Sequence, residues 1–261
     1  MITLGMDVGS LFTKAVLMKD GEIIASTIRE TTGNIAGEID SIIDEVAGKA
    51  NITRKDINIC VSSGQGEDLV KDADFMEDDV ACIAVASRHL LPETELTIDI
   101  GGQNISTILT DPDGDILNFM RNDKCASGSG RFVEVISSAL RVNMDDLDST
   151  IGEATKRISV STQCAVFAES EIISYVNQGE AVPNILAGVC DAMARIIVSQ
   201  AMRVGPVDSF TVTGGVARVN SIIRVLEERL KGKYQSFPID PQLAVAYGAA
   251  LIGQSEGEDA V

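Results

Sequence analysis

Residues 3–21 read TLGMDVGSLFTKAVLMKDG. An apolar run from Thr3 to Val8 stops at Gly9-Ser10, resumes at Ala15–Met18 and stops again at Asp20-Gly21. Short apolar runs bounded by glycine turns read as strands, so the chain is expected to open as a hairpin meander. The same pattern returns at residues 96–114, LTIDIGGQNISTILTDPDG. There Asp99-Ile100-Gly101, Ile108-Leu109 and Asp113-Gly114 answer Asp7-Val8-Gly9, Val16-Leu17 and Asp20-Gly21, displaced by 92 residues and then 93. Internal repetition of this kind marks a duplicated supersecondary unit.

The residues between and after the two copies complete an α/β pattern. Hydrophobic periodicity predicts a helix over Ile35–Ala50, a strand over Ile57–Ser62 and a helix over Val80–Leu90. After the second copy it predicts a strand over Ile116–Arg121 and helices over Gly130–Leu140, Ala165–Asn177, Asn184–Val204 and Val219–Lys231. The strand Ser209–Thr213 ends in Gly214-Gly215, and Leu243–Ile252 reads as a small-residue helix with Ala at 244, 246, 249 and 250. Ser255–Val261 reads as a frayed acidic tail. Two like domains are expected to face one another across a cleft, a preferred place for ligands.

Composition narrows the function. With 45% apolar and 23% charged residues over 261 positions, the chain is globular rather than disordered. Its 21 Lys and Arg against 39 Asp and Glu leave a net charge of −18, which repels nucleic acid and anionic lipid. No apolar run long enough for a bilayer escapes charge or glycine. Neither nucleic acid nor a membrane is therefore expected as a partner, and the expected compartment is cytoplasmic. Five scattered Cys suit a reducing compartment, and a single His, His89, excludes a His-rich metal site.

An Asp at a strand end followed by Gly lets backbone N–H groups approach phosphate oxygens. The turns at Gly9-Ser10 and Gly101-Gly102 have this form, and the carboxylates of Asp7 and Asp99 are candidate Mg²⁺ ligands. With Thr213-Gly214-Gly215, three such loops stand in order. In this the sequence resembles the acetate and sugar kinase, Hsp70 and actin superfamily. That resemblance implies an α/β fold of two duplicated actin-like (ribonuclease H-like) domains around an ATP cleft, with residues 1–95 and 244–261 in the first domain and 96–243 in the second. It also implies that Ser10, Thr13 and Lys14 face the phosphates, that Gly101, Gly102 and Gln103 form the second loop, and that Gly214, Gly215 and Gln242 meet the nucleotide. Gln103 is the candidate for positioning the attacking water, with Glu169 second; the plainer role for Glu169 and Glu171 is to complement a helix dipole.

Cys125 and Cys164 each stand just ahead of a predicted helix, where a thiolate is favoured, although on the residues alone the leading reading of both is a plain interior thiol. Cys60 lies in an apolar strand, and Cys82 and Cys190 in helical patterns, as small interior hydrophobes do. Two thiolates are too few for a four-Cys site in one chain, whereas a two-fold dimer supplies four. With the motifs Asn122–Phe132 and Thr162–Glu171, nearly the whole chain resembles the ATPase family that activates 2-hydroxyacyl-CoA dehydratases and powers benzoyl-CoA reductases. The resemblance implies a homodimer or paralogous heterodimer bridging one 4Fe-4S cluster through Cys125 and Cys164. It further implies ATP and Mg²⁺ as cofactors, a ferredoxin or flavodoxin-type donor, and an iron-sulfur acyl-CoA dehydratase or reductase as the partner that receives the electron. Two other readings use the same phosphate loops: a small-molecule kinase of the superfamily, acting on pantothenate or a sugar, and an actin-like or chaperone-like switch.

Overall fold

The computed structural model describes residues 1–122, 128–161, 165–206 and 208–259. It divides into two compact units. The first comprises Met1–Thr94, Thr110–Ile116 and Phe237–Val261, and the second Glu95–Leu109 and Leu117–Ser236.

In the first unit β1 (Ile2–Val8), β2 (Phe12–Lys19) and β3 (Glu22–Glu30) form the expected meander, and β4 (Ile59–Ser63) and β5 (Phe75–Met76) extend it in the order β3-β2-β1-β4-β5. β1 runs antiparallel to β2 and parallel to β4. The alternation along β2 shows how the sheet is covered on both faces. Ala15 and Leu17 join Leu4, Met6 and Val8 against Ile39, Ile42, Ile43 and Val46 of helix α1 (Ile35–Lys49). Val16 and Met18 face the other way, toward Ala86 of α2 (Asp79–Leu90) and toward Ala246 and Ala250 of the C-terminal helix Ala244–Asp259. α2 is started by Asp78, whose side chain accepts a hydrogen bond from the Val80 N–H at 2.8 Å.

In the second unit β6 (Leu96–Ile100), β7 (Ile105–Thr110), β8 (Ile116–Arg121), β9 (Ser209–Thr213) and β10 (Lys233–Tyr234) form a sheet in the order β8-β7-β6-β9-β10. That is the order of the first sheet strand for strand, with the same antiparallel β6/β7 and parallel β6/β9 pairings. The duplication read in the sequence is thus a duplication of topology. Its core joins Leu96, Ile98 and Ile100 to helices α3 (Gly130–Ala139), α4 (Leu147–Gly152), α5 (Ala165–Asn177), α6 (Val182–Val204) and α7 (Asn220–Leu230). Among the described residues α6 alone is long and apolar enough to cross a membrane, but 72% of its most apolar window is buried in the molecule, as in the core helix of a folded domain.

The C-terminal helix, α8, corrects one expectation. Ser255–Asp259 is helical rather than frayed, and the reason lies at Gly257, where a Cβ would come 2.5 Å from Met1 Sδ and 2.7 Å from Ile59 Cδ1. A polar sequence there conceals a packed contact.

Candidate functional site

The first unit places its candidate residues at the end of the β1–β2 hairpin. Register sets Lys14 opposite Asp7, and Lys14 Nζ lies 2.7 Å from Asp7 Oδ2 with the two side chains 14% and 8% exposed. A carboxylate so enclosed needs a compensating charge, and Lys14 supplies it. The turn between them is held by Gly9 N–H to Phe12 O at 3.2 Å and by Thr31, whose Oγ1 donates to Gly9 O at 2.8 Å. Thr13 lies fully buried, with its hydroxyl 3.0 Å from that of Thr31. Ser10 is half-buried in the turn itself.

On its other side β1 runs beside β4, and Asp7 pairs in register with Ser63. The chain then turns through Gly64 at φ +91°, where a Cβ would stand 2.6 Å from Asp7 Oδ1 and 2.9 Å from Val8 O. No other residue type fits that approach. Gly66 N–H donates to Val8 O at 3.0 Å and fastens the loop to β1.

The second unit repeats the arrangement with different chemistry. Asp99 takes the place of Asp7, Ser106 the place of Lys14 and Thr213 the place of Ser63. Thr213 Oγ1 donates to Asp99 Oδ1 at 2.8 Å. Gly214, at φ +82°, repeats Gly64, with a Cβ position that collides with Ile100 O. Gly215 opens a short 3-10 turn over Gly215–Arg218. Gly101 N–H donates to Asn104 O at 2.9 Å, and the carbonyls of Gly101 and Gly102 accept from the first N–H groups of α3, Gly130 and Arg131, at 2.8 Å each. Among the described residues nothing accepts from the N–H groups of Gly102 and Gln103, and Gln103 is exposed. Such a loop presents donors to an anion.

Gln242 belongs to the first unit, in a turn packed on β2 and capped by Asp240, which accepts from Gln242 N at 3.1 Å. Its side chain is 6% exposed, and its buried Oε1 accepts no hydrogen bond from any described residue. The structure therefore brings Asp7, Gly9, Ser10 and Lys14 together in one unit, and Asp99, Gly101, Gly102, Gln103, Gly214 and Gly215 together in the other, at the carboxyl ends of adjacent parallel strands. Sequence reasoning missed Ser63, Gly64 and Gly66; the available signal was a small hydroxyl residue and a Gly closing β4 just as Thr213-Gly214 close β9.

Cys125 and Cys164 lie outside the described residues. The other three cysteines are buried, and loss of solvation pushes the thiols of Cys60, Cys82 and Cys190 up to about 12 each. They stay protonated and are poor ligands. Among the described residues no group of three or more His, Cys, Asp or Glu is arranged to hold a metal ion. The three described cysteines are therefore not candidate ligands for a soft metal. Glu169 is half-buried on α5, and Glu171 accepts from Ser161 N–H and Oγ at 3.1 and 2.9 Å.

Two matched α/β units with Asp at the ends of their first strands and left-handed glycines beside them constitute the actin-like ATPase fold. Residues 4–253 match the model of the BadF/BadG/BcrA/BcrD ATPase family, and the chain belongs to that family. It is 36% identical to the 2-hydroxyisocaproyl-CoA dehydratase activator of Clostridioides difficile over 99% of this chain and 97% of the other. The solved activator of that dehydratase with bound ADPNP superposes with a TM-score of 0.94 at 34% identity, covering 100% of this chain and 97% of that one. Component A of (R)-2-hydroxyglutaryl-CoA dehydratase from Acidaminococcus fermentans gives 0.93 at 35% identity, with 99% of both chains covered.

Proposed function

We propose that this protein is an ATP-hydrolysing activator that delivers low-potential electrons to a partner acyl-CoA dehydratase or benzoyl-CoA-type reductase. The observation that carries the nucleotide half is the matched pair of strand ends, Asp7 with Lys14 under Gly64 and Asp99 with Thr213 under Gly214. In this reading Lys14 and the N–H groups of Gly102 and Gln103 hold phosphate oxygens, and Asp7 and Asp99 would hold Mg²⁺. Gln103 holds the attacking water in line, since phosphoryl transfer asks for positioning more than for a strong base. Gly214, Gly215 and Gln242 receive the adenosine.

Cys125 and Cys164 of this chain, with the same pair from a second copy or a paralogue, are the ligands we assign to one 4Fe-4S cluster. When bound, that group supplies one-electron chemistry at low potential. A ferredoxin or flavodoxin-type protein is the proposed donor, and reduction of the CoA thioester takes place on the partner. Support comes from membership of a family whose relatives are dehydratase activators.

The test is anaerobic purification followed by iron counting, EPR and Mg²⁺-ATP turnover. One cluster per two chains, lost in Cys125→Ser or Cys164→Ser, is expected, with ATP turnover impaired by Asp7→Asn and by Asp99→Asn. Phosphorylation of pantothenate, acetate or a sugar at a rate rivalling ATP hydrolysis would instead establish a kinase.

A further inference from the structure

The turn between β1 and β2 is fastened from a place that no motif marks. Thr31, the residue next after β3, donates into it twice, from its N–H to Leu11 O at 2.8 Å and from its Oγ1 to Gly9 O at 2.8 Å. A threonine hydroxyl carries one hydrogen and two lone pairs. Thr31 gives its hydrogen to Gly9 O, so in the 3.0 Å contact between the hydroxyls of Thr13 and Thr31 the donor is Thr13. The bonds run in one direction, from Thr13 to Thr31 to Gly9 O. The hydrogen of the fully buried Thr13 hydroxyl is thereby committed to Thr31.

The bond to Gly9 O fixes the peptide plane between Gly9 and Ser10. A trans peptide points its N–H opposite to its C=O, and no described peptide bond is cis. With Gly9 O turned toward Thr31, Ser10 N–H is turned away from it, and among the described residues nothing accepts from that N–H. Gly9 also borders the Asp7–Lys14 pair, since a Cβ there would stand 3.2 Å from Lys14 Nζ and 3.5 Å from Asp7 Oδ1. An amide donor and an ammonium therefore flank one glycine, a combination that suits an anion.

The second unit fastens its own turn from the same place. Asn122, the residue next after β8, donates from Nδ2 to Gln103 O at 3.1 Å. Gln103 follows Gly101 by two residues, as Leu11 follows Gly9. Two turns of different sequence are thus held at the equivalent carbonyl by residues of different type, which makes the attachment a feature of the repeat.

We propose that Thr31 is a positioning residue for phosphate, aiming Ser10 N–H at a phosphate oxygen of the nucleotide, and that Thr13 acts through Thr31 instead of touching the ligand. The assignment rests on the ATP reading above and adds to that site one donor and the residue that holds it. Hydrogen bonds weaken steeply with angle, so rotation of this single peptide plane is enough to remove the donor.

The experiment uses the ¹⁵N-labelled full chain with Mg²⁺-ADPNP as probe. Calorimetry first establishes whether wild type binds it; no binding removes the nucleotide reading and the role of Thr31 together. Given binding, the Ser10 amide proton is expected to move downfield by about 0.5 ppm or more on forming a charge-assisted hydrogen bond. An unmoved Ser10 amide overturns the assignment and leaves the ATP reading standing. Thr31→Val removes the hydroxyl and keeps the N–H bond to Leu11 O. It should weaken ADPNP binding about tenfold and cut the Ser10 shift at saturation to about half or less, and Thr31→Ser should restore both to within about twofold of wild type. Thr13→Val should weaken binding only about threefold, and Thr13→Val combined with Thr31→Val about tenfold, no more than Thr31→Val alone. Wild-type affinity in Thr31→Val, no rescue by Thr31→Ser, or additive losses of about thirtyfold in the double variant would each overturn the assignment. Should Thr31→Val fail to fold, the wild-type Ser10 shift and the behaviour of Thr31→Ser and Thr13→Val still decide it.

Discussion

Lys14 and Thr213 are ladder neighbours of the two strand-end carboxylates, an ammonium beside Asp7 and a hydroxyl beside Asp99. Lys14 neutralises Asp7, so Lys14→Met is expected to cost about 2–3 kcal/mol by leaving that charge uncompensated. Asp7→Asn combined with Lys14→Met should regain most of this in urea unfolding without regaining ATP binding, because both changes also remove site chemistry. The glycines sort by surroundings rather than by φ alone. Gly21→Ala, at φ +87° with open space around it, is expected to cost about 1 kcal/mol, and Gly214→Ala, which drives a methyl into Ile100 O, about 3 kcal/mol or more. Near-equal costs would contradict the crowding described here. Glu45 gives a pH-dependent case: its carboxyl is held down to about 2 by hydrogen bonds from Thr27 and Lys49, with Arg29 adding charge. The folded pKa lies below the ordinary value of 4.5, so this stability is fully present above about pH 4.5 and is lost as pH falls toward 2. After solvent screening, Glu45→Gln should remove about 1 kcal/mol at pH 7 and flatten the acid limb of the stability curve.

At the scale of elements, α8 shows what small residues do for packing. A Cβ at Gly5 of β1 would overlap Ala246 O and stand 2.5 Å from Ala250 N, and one at Gly248 would overlap Cys82 O of α2. The helix is wedged between strand and helix at backbone contact, so Gly248→Val should leave little folded protein, whereas Ala246→Gly should cost only about 1 kcal/mol beyond its lost methyl contacts. Circular dichroism and thermal melts separate these outcomes. The long elements were legible because β1, β2, α1 and α6 carry periodic apolar patterns over several turns or rungs. The two-residue strands β5 and β10 were not, since each is defined by parallel pairing with a distant strand and carries no pattern of its own. The site divides in the same way. Asp7, Gly9, Asp99 and Gly101 stand out locally, but the contact of Gly64 with Asp7 and the bond from Thr213 to Asp99, 114 residues apart, depend on which strands become neighbours.

For the whole molecule, the dominant sequence-level quantities are the repeat and the charge. A net −18 spread over 261 residues opposes compaction by self-repulsion, and salt screens it within about 10 Å at 0.1 M. Raising NaCl from about 20 mM to about 300 mM is therefore expected to lift the melting temperature by about 3 °C or more; no change would mean that local ion pairs, such as those of Asp191 with Arg195 and Arg229, already balance the excess. The repeat was legible because each copy keeps its Asp-x-Gly at the end of its first strand, and the shared strand order follows from it. The composition of the chain is also threaded unevenly through that repeat: the second unit is one nearly continuous stretch, while the first is assembled from a stretch before it and Phe237–Val261 after it. During synthesis β1 and β2 therefore leave the ribosome long before α8, the helix that fits Gly5 and covers Val16 and Met18. While the second unit is being made, the nascent first sheet lacks α8 over the face where Val16 and Met18 also meet Ala86 of α2, and the first unit can complete its packing only once the last residues are translated.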